Sequence, residues 1–308
     1  MSAGGATAAG PLAAERPSAA GAPGGAPWRV AAARLRRNRA ALTALGAVAA
    51  LSLVALLAPA LAPYDPTAQL DIVTLKAQAP SLAHPFGTDA FSRDVLSRVL
   101  YGARVSLGVA VLAVVLSATL GTAYGAVAGF YGGRLDAVMM RLIDALLAVP
   151  RILLLIGVLA LWGRIRLPLL VVLLGLTGWF GVSRLVRAEV RALRGQDFVT
   201  SARALGAGDL RLLVRHILPN ALAPVIVAAT LGVGHVVIVE AGLSYLGIGV
   251  QQPQPSWGNI IQEGGDQVAS MWWMSLFPGL LIVVTVMAFT ALGDALRDAS
   301  DPRQLDGR

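Results

Sequence analysis

Six apolar runs divide this chain, at about residues 40–62, 105–130, 137–161, 167–186, 222–246 and 275–292. Each approaches the ~20 residues that a helix needs to cross the ~30 Å hydrocarbon core of a bilayer. A chain of 308 residues that is 56% hydrophobic and only 14% charged is too apolar for a soluble domain of this size. The pattern predicts an all-α polytopic membrane protein with six transmembrane helices.

The charge supports the same reading. The net charge is +8, which could suit nucleic acid, but the cations sit beside apolar runs. Arg34, Arg36, Arg37 and Arg39 precede the first run, and Arg184, Arg187, Arg191 and Arg194 follow the fourth. Residues 250–272 hold no Lys or Arg. This bias puts both termini in the cytoplasm, the two arginines of the Gly163–Arg166 turn notwithstanding. No nucleic-acid partner is expected; the lipid bilayer is. The chain has no Cys, so disulfides, thiolate catalysis and Cys metal sites are excluded. Its single Lys76 lies in Leu-Lys-Ala-Gln, so there is no Gly-Lys-Ser/Thr phosphate loop. No enzyme activity, metal or cofactor is expected.

Three regions follow: an Ala/Gly/Pro-rich then Arg-rich tail over 1–39, a transmembrane unit over 40–296, and a short cytoplasmic tail over 297–308. The tail is too poor in large apolar residues to bury a core. The first run, with Ala60-x-Ala62 near its end, could be a signal peptide. It is longer than a usual signal core and Pro63 would follow the cut, so it reads as a first spanning helix. Residues 63–100 are polar and broken by prolines, and are placed outside the cytoplasm. There Pro85 and Gly87 form a turn, and Asp89 caps a short interfacial helix bearing Arg93 and Arg98.

Several residues inside the runs stand out. Gly121, Gly125 and Gly129 share one helix face, which permits close helix packing in lipid. Arg141 and Asp144 are spaced to pair along one helix. Arg151, just after the kinking Pro150, lies deep enough that it should face the bundle interior or a watery path. Asp144, Arg151 and Glu240 are therefore candidates for the translocation path or for helix contacts. His235 and Glu240 are five residues apart and do not form a metal pair. Met271-Trp-Trp-Met274 suits an interfacial aromatic belt.

The longest polar break in the second half, within 188–220, reads DFVTSARALGAGDLRLLVRHILPN from Asp197 to Asn220. Two short helices fit it. Asp197 caps the first, which carries Phe198, Ala202 and Leu205 on one face; Gly206 and Gly208 form the turn. Asp209 caps the second, with Leu210, Leu213 and Ile217 on one side and Arg211 and Arg215 on another; Pro219 ends it. A solvated loop has no need of two amphipathic helices; their apolar faces want a partner surface.

Thr200-Ser201-Ala202, Gly206 and Ile217-Leu218-Pro219 resemble the cytoplasmic EAA loop of ATP-binding-cassette importer permeases, whose pattern is E-A-A, three residues, G, nine to ten residues, then I-x-L-P. The run from Ala202-Arg203-Ala-Leu205-Gly206 to Arg215-His216-Ile-Leu218-Pro219-Asn resembles the dipeptide, oligopeptide and nickel branch more narrowly. So do His84-Pro-Phe-Gly-Thr-Asp89, Met140-Arg-Leu-Ile-Asp144 with Pro150, Glu240-Ala-Gly-Leu-Ser-Tyr-Leu-Gly-Ile-Gly249, Pro253-x-Pro-Ser-Trp257 and Gly293-Asp-Ala-Leu-Arg-Asp-Ala-Ser-Asp-Pro302. Together they span roughly residues 40–304. The chain departs at Thr200, where Glu is usual, at Ser201, where Ala is, and at Ser92, where Gly is. With Thr200 at the third helical position, Thr200→Glu would close a capping box.

The resemblance implies an inner-membrane, C-type permease in a heterodimer with a second permease subunit. It also implies one or two ATPase subunits and an extracytoplasmic substrate-binding protein. Coupling to the ATPases would run through Phe198, Thr200, Ala202, Arg203, Leu205, Gly206, Asp209, Arg215, His216, Leu218 and Pro219. Peptides are the implied substrate, with nickel or another small solute as the alternative. A secondary transporter would need its own ion relay and usually an inverted repeat; six spans with few buried acids and no visible repeat argue against it. A membrane scaffold would need no charges inside its spans.

Overall fold

A computed structural model describes residues 35–36, 38–162 and 166–300. Most of the N-terminal tail, the turn from Gly163 and the closing Asp301-Pro302 lie outside the described residues. Helices α1 (Arg39–Leu61), α2 (Val95–Tyr131), α5 (Leu167–Arg194), α7 (Asp209–Tyr245) and α9 (Trp273–Ser300) are each long and apolar enough to cross a membrane. Helices α3 (Gly133–Leu147) and α4 (Arg151–Trp162) meet at a 72° bend, and counted together as one broken span they bring the number of candidate crossings to six. The short α6 (Asp197–Ala204) and α8 (Trp257–Gly264) lie in the connections. No strand occurs among the described residues, as expected where a spanning backbone must bond to itself.

The chain is an all-α membrane protein, but several elements differ from their sequence-based bounds. Helix α2 begins at Val95, not near 105, because Asp94 caps it by accepting from Ser97 N. Asp89 caps nothing: its carboxylate accepts from Phe91 N, Arg93 N and the Arg93 guanidinium, which holds a loop. Arg93 and Arg98 do not ride an interfacial helix; both are buried. Pro150 does more than kink the third crossing, since the helix stops at Leu147 and restarts at Arg151. Helix α9 extends to Ser300, past the expected limit near Leu292. Of the anticipated aromatic belt only Trp272 is exposed. Met271, Trp273 and Met274 are buried, and Trp273 Nε1 donates to Thr88 O.

The largest interface joins α2 to α5, where α2 presents its glycines. A Cβ at Gly121 would stand 2.6 Å from Val182 Cβ, and one at Gly129 2.7 Å from the Arg187 carbonyl oxygen. At Gly125 it would stand 2.9 Å from Val186 Cβ and collide with the Ser183 carbonyl. The helices approach to a distance that only hydrogen side chains allow. Around this pair α1, α7 and α9 close a core containing Leu107, Ala110, Leu174, Val237 and Phe289.

The connection 62–94 is folded onto the bundle. Phe86 stacks on Phe277 with ring centres 3.8 Å apart, and Tyr64 N donates to Ser97 Oγ. Within it Ser92 has φ +61°, and its buried hydroxyl makes no hydrogen bond. A left-handed backbone costs a side-chain-bearing residue ~1–2 kcal/mol, which accounts for glycine at this place in the resembling sequences. Ser92→Gly is expected to stabilise the protein by about 1 kcal/mol, read as a higher melting temperature in detergent.

Candidate coupling surface and membrane cavity

Helix α6 starts one residue earlier than Asp197 would dictate: Gln196 is its N-cap, and Asp197 sits in the first turn. Val199 is its fully buried residue and packs with Val186, Val190, Leu212 and Ile217. Ala202 joins this cluster from the edge, whereas Phe198 and Leu205 point away, Leu205 with 89% of its surface exposed. Thr200 stands at the fourth helical position, not the third, and its hydroxyl donates to Asp197 O. A Glu there cannot complete a capping box, so Thr200→Glu loses that rationale.

The helix ends in a Schellman turn. Gly206 has φ +85°, its N–H donates to Arg203 O, and Ala207 N donates to Ala202 O. The next segment is not a separate helix. Gly208, not Asp209, is the N-cap, and Asp209 opens α7, which runs without interruption into the membrane. Pro219 does not end it. Residues Leu212–Ile217 form a wide π turn, with Leu218 N donating to Leu213 O. Such a turn loosens the regular ladder, and the proline follows it directly.

Leu212, Leu213 and Ile217 face the bundle, while Leu210, expected beside them, keeps 74% of its surface exposed. The outer face of residues 197–219 thus presents Phe198, Leu205, Leu210 and Val214 to the exterior. Arg203, Asp209, Arg215 and Pro219 are exposed around them, and His216 and Leu218 are half-buried. Behind this cradle Arg187 grips Asp136 with two bonds, Nε to Oδ1 at 2.5 Å and Nη2 to Oδ2 at 2.6 Å. This pair ties the start of α3 to α5.

Nearer the middle of the bundle, α2, α4, α5 and α7 line an open cavity of about 250 Å³. Ser117, Arg151 and His235 are its polar side chains; the rest of the lining is Ala, Val, Leu and Gly. Arg151 Nε donates to Thr177 Oγ1 at 3.1 Å and Nη2 to Leu174 O at 3.0 Å. Asp144 does not pair with Arg141. It meets Arg184 of α5 instead, in an exposed contact of small energetic worth. The break after Leu147 separates Asp144 from the cavity.

Glu240 is fully buried outside the cavity lining and joins elements together. Its carboxylate accepts from Ser106 Oγ of α2 and Ser244 Oγ of α7, each at 2.7 Å. Those hydroxyls accept in turn from Trp257 N and Val250 N. Glu240 is therefore a helix contact. His235, five residues away, faces the cavity.

A second buried polar cluster lies at the opposite end from the cradle. Glu263 Oε1 accepts from Arg98 Nη2 at 2.7 Å and from Gln252 Nε2 at 2.8 Å. Its Oε2 accepts from Arg93 Nη2 at 2.7 Å and Arg98 Nη1 at 2.5 Å. Asp89 accepts from both arginines. Sequence reasoning missed this network, as it missed Val199, Leu212 and the Asp136–Arg187 grip. Its partners lie up to 170 residues apart, beyond any local pattern.

Residues 121–306 match the family described as binding-protein-dependent transport system inner membrane component, and residues 26–80 match the N-terminal transmembrane domain of oligopeptide transport permease C. Among curated proteins, the chain is 43% identical over 282 residues to a putative peptide transport system permease protein of Brucella abortus, covering 91% of this chain and 93% of the relative. It is 40% identical to the dipeptide transport system permease protein DppC of Alkalihalophilus pseudofirmus, over 90% of each chain. It is 41% identical to the glutathione transport system permease protein GsiD of Escherichia coli, over 90% of this chain and 91% of that one.

Proposed function

We propose, from the premise that this chain belongs to the binding-protein-dependent transport system inner membrane component family, that it imports peptides. In that reading it forms half of the translocation path as the C-type partner of a second permease. As a member of that family it is a multi-pass inner-membrane permease subunit of an ATP-binding-cassette importer. The names of its relatives, which refer to peptides, dipeptides and glutathione, support the substrate class.

The observation that carries the coupling mechanism is the cradle of residues 197–219. Val199, Leu212, Leu213 and Ile217 clamp it to the bundle, while Phe198, Leu205, Leu210 and Val214 remain open for an ATPase subunit. The cradle is continuous with α7, whose deeper residues line the cavity. A pull on Asp209–Ile217 therefore reaches His235 through one helix, and Glu240 passes it on to α2 and the 246–258 connection. ATP-driven closure of two ATPases would rock the bundle between inward- and outward-open states while a substrate-binding protein delivers peptide to the far side. The subunit itself forms and breaks no covalent bond.

Co-expression with the genomic neighbours and purification in detergent tests this. Stoichiometric ATPase and a second permease are expected with the wild-type chain. Leu205→Asp, which places a carboxylate where the dock is apolar, should lose the ATPase while keeping the second permease. A wild-type chain that purifies alone and moves solute without ATP would establish a secondary transporter instead.

A further inference from the structure

We propose that Arg151 is a carboxylate-binding residue of the path, taking the C-terminal carboxylate of a passing peptide within the α2–α4–α5–α7 cavity. The assignment rests on the peptide-permease reading above and names the group that the path recognises. A guanidinium has five N–H donors. Arg151 uses one on Thr177 and one on the Leu174 carbonyl, which leave three uncommitted and fix the orientation of the fork. Among the described residues no carboxylate pairs with it. This contrasts with Arg93, Arg98, Arg184 and Arg187, each of which meets an acid. A cation inside a spanning segment without a counter-ion is costly and marks a route for the opposite charge.

The space around it is kept open by glycine. A Cβ at Gly178 would stand 2.7 Å from Ser117 Oγ and 3.4 Å from Arg151 Nη2. The guanidinium therefore lies over bare backbone with the serine hydroxyl beside it. Gly181, also in the lining, has nothing within 4 Å of a Cβ position. The 72° break between α3 and α4 is what carries Arg151 into this space. A charge-assisted bond from the guanidinium would replace part of the water that a carboxylate loses on entering the membrane.

The test uses the complete transporter, with both permeases, ATPase and binding protein, in proteoliposomes. The probe is a mixture of di- to pentapeptides, offered with free C-terminal carboxylates or fully amidated, and imported peptides are quantified by mass spectrometry. The ratio of variant to wild type cancels any preference of the binding protein. Arg151→Gln is expected to lower import of the free acids about tenfold, the worth of one charge-assisted bond, and to leave the amides within about twofold. Arg151→Lys, which keeps the charge, should restore most free-acid import; this variant and the amides together report that the subunit is assembled. Equal loss for acids and amides in both variants, or no loss in either, overturns the assignment. So does a loss confined to peptides with Asp or Glu side chains, whatever their C-terminus. Import of neither mixture by the wild-type complex would instead refute the peptide reading itself.

Discussion

Gly206→Pro is expected to abolish ATP-driven transport while the protein still inserts and still binds the second permease. Proline holds φ near −65°, whereas residue 206 adopts φ +85°. The substitution also deletes the N–H that donates to Arg203 O in the Schellman turn. The path from α6 into α7 must then change direction, and Phe198 and Leu205 on one arm lose register with Leu210 and Val214 on the other. No residue surrounds a Cβ at position 206 within 4 Å, so Gly206→Ala meets no clash. Its φ still costs ~1–2 kcal/mol of local strain, and partial activity is expected. Transport in proteoliposomes and substrate-stimulated ATPase activity measure the difference. Normal transport by the Gly206→Pro complex would remove residues 197–219 from the coupling pathway.

Glu263→Ala should be the most destabilising single change at the opposite end. Arg93, Arg98, Asp89 and Glu263 form a buried set of two cations and two anions. Deleting Glu263 leaves two guanidinium groups facing one carboxylate, with side chains at most 5% exposed. Breaking a buried pair in this way costs about 3–5 kcal/mol, because the remaining charge has lost its water without keeping its partner. Arg98→Met combined with Glu263→Met removes one charge of each sign and leaves Arg93 with Asp89. That double variant is expected to melt well above Glu263→Ala in detergent. If Glu263→Ala melts with the wild type, the network does not hold α8 to α2.

Much of the fold was legible because its signals are local. Apolar runs of spanning length, Arg-rich ends and the i, i+4 glycines of α2 each depend on residues within a few turns of one another. The existence of an amphipathic element near 197–217 was legible for the same reason, as was the family to which its pattern points. The faces of that element were less so. Val199 and Leu212 could not be singled out as buried residues from a short stretch that also offers Phe198, Leu205 and Leu210. Which leucines are covered depends on α5, which is not part of that stretch.

Caps and breaks show the same boundary. Asp89, Asp197 and Asp209 are all plausible caps by type, yet Asp94, Gln196 and Gly208 occupy those places. Asp89 is unavailable because two arginines hold it. Pro219 reads as a stop, but α7 continues through the π turn before it, and this continuity joins the coupling segment and the cavity wall in one helix. Arg141 and Asp144 have pairing spacing, yet Asp144 turns to Arg184 on a neighbouring helix.

The sequence alone determined that this chain crosses a bilayer as a bundle of helices, and which stretch stands outside that bundle asking for a partner. Both follow from hydropathy and periodicity, and so from the cost of placing each residue in lipid or water. Only the tertiary structure decided which charges are paired, Arg98 with Glu263 and Arg187 with Asp136, and which is left facing a cavity, Arg151. Charge pairing is set by distance in space, and the bundle brings together side chains that the chain itself keeps 51 residues apart in one pair and 165 in the other.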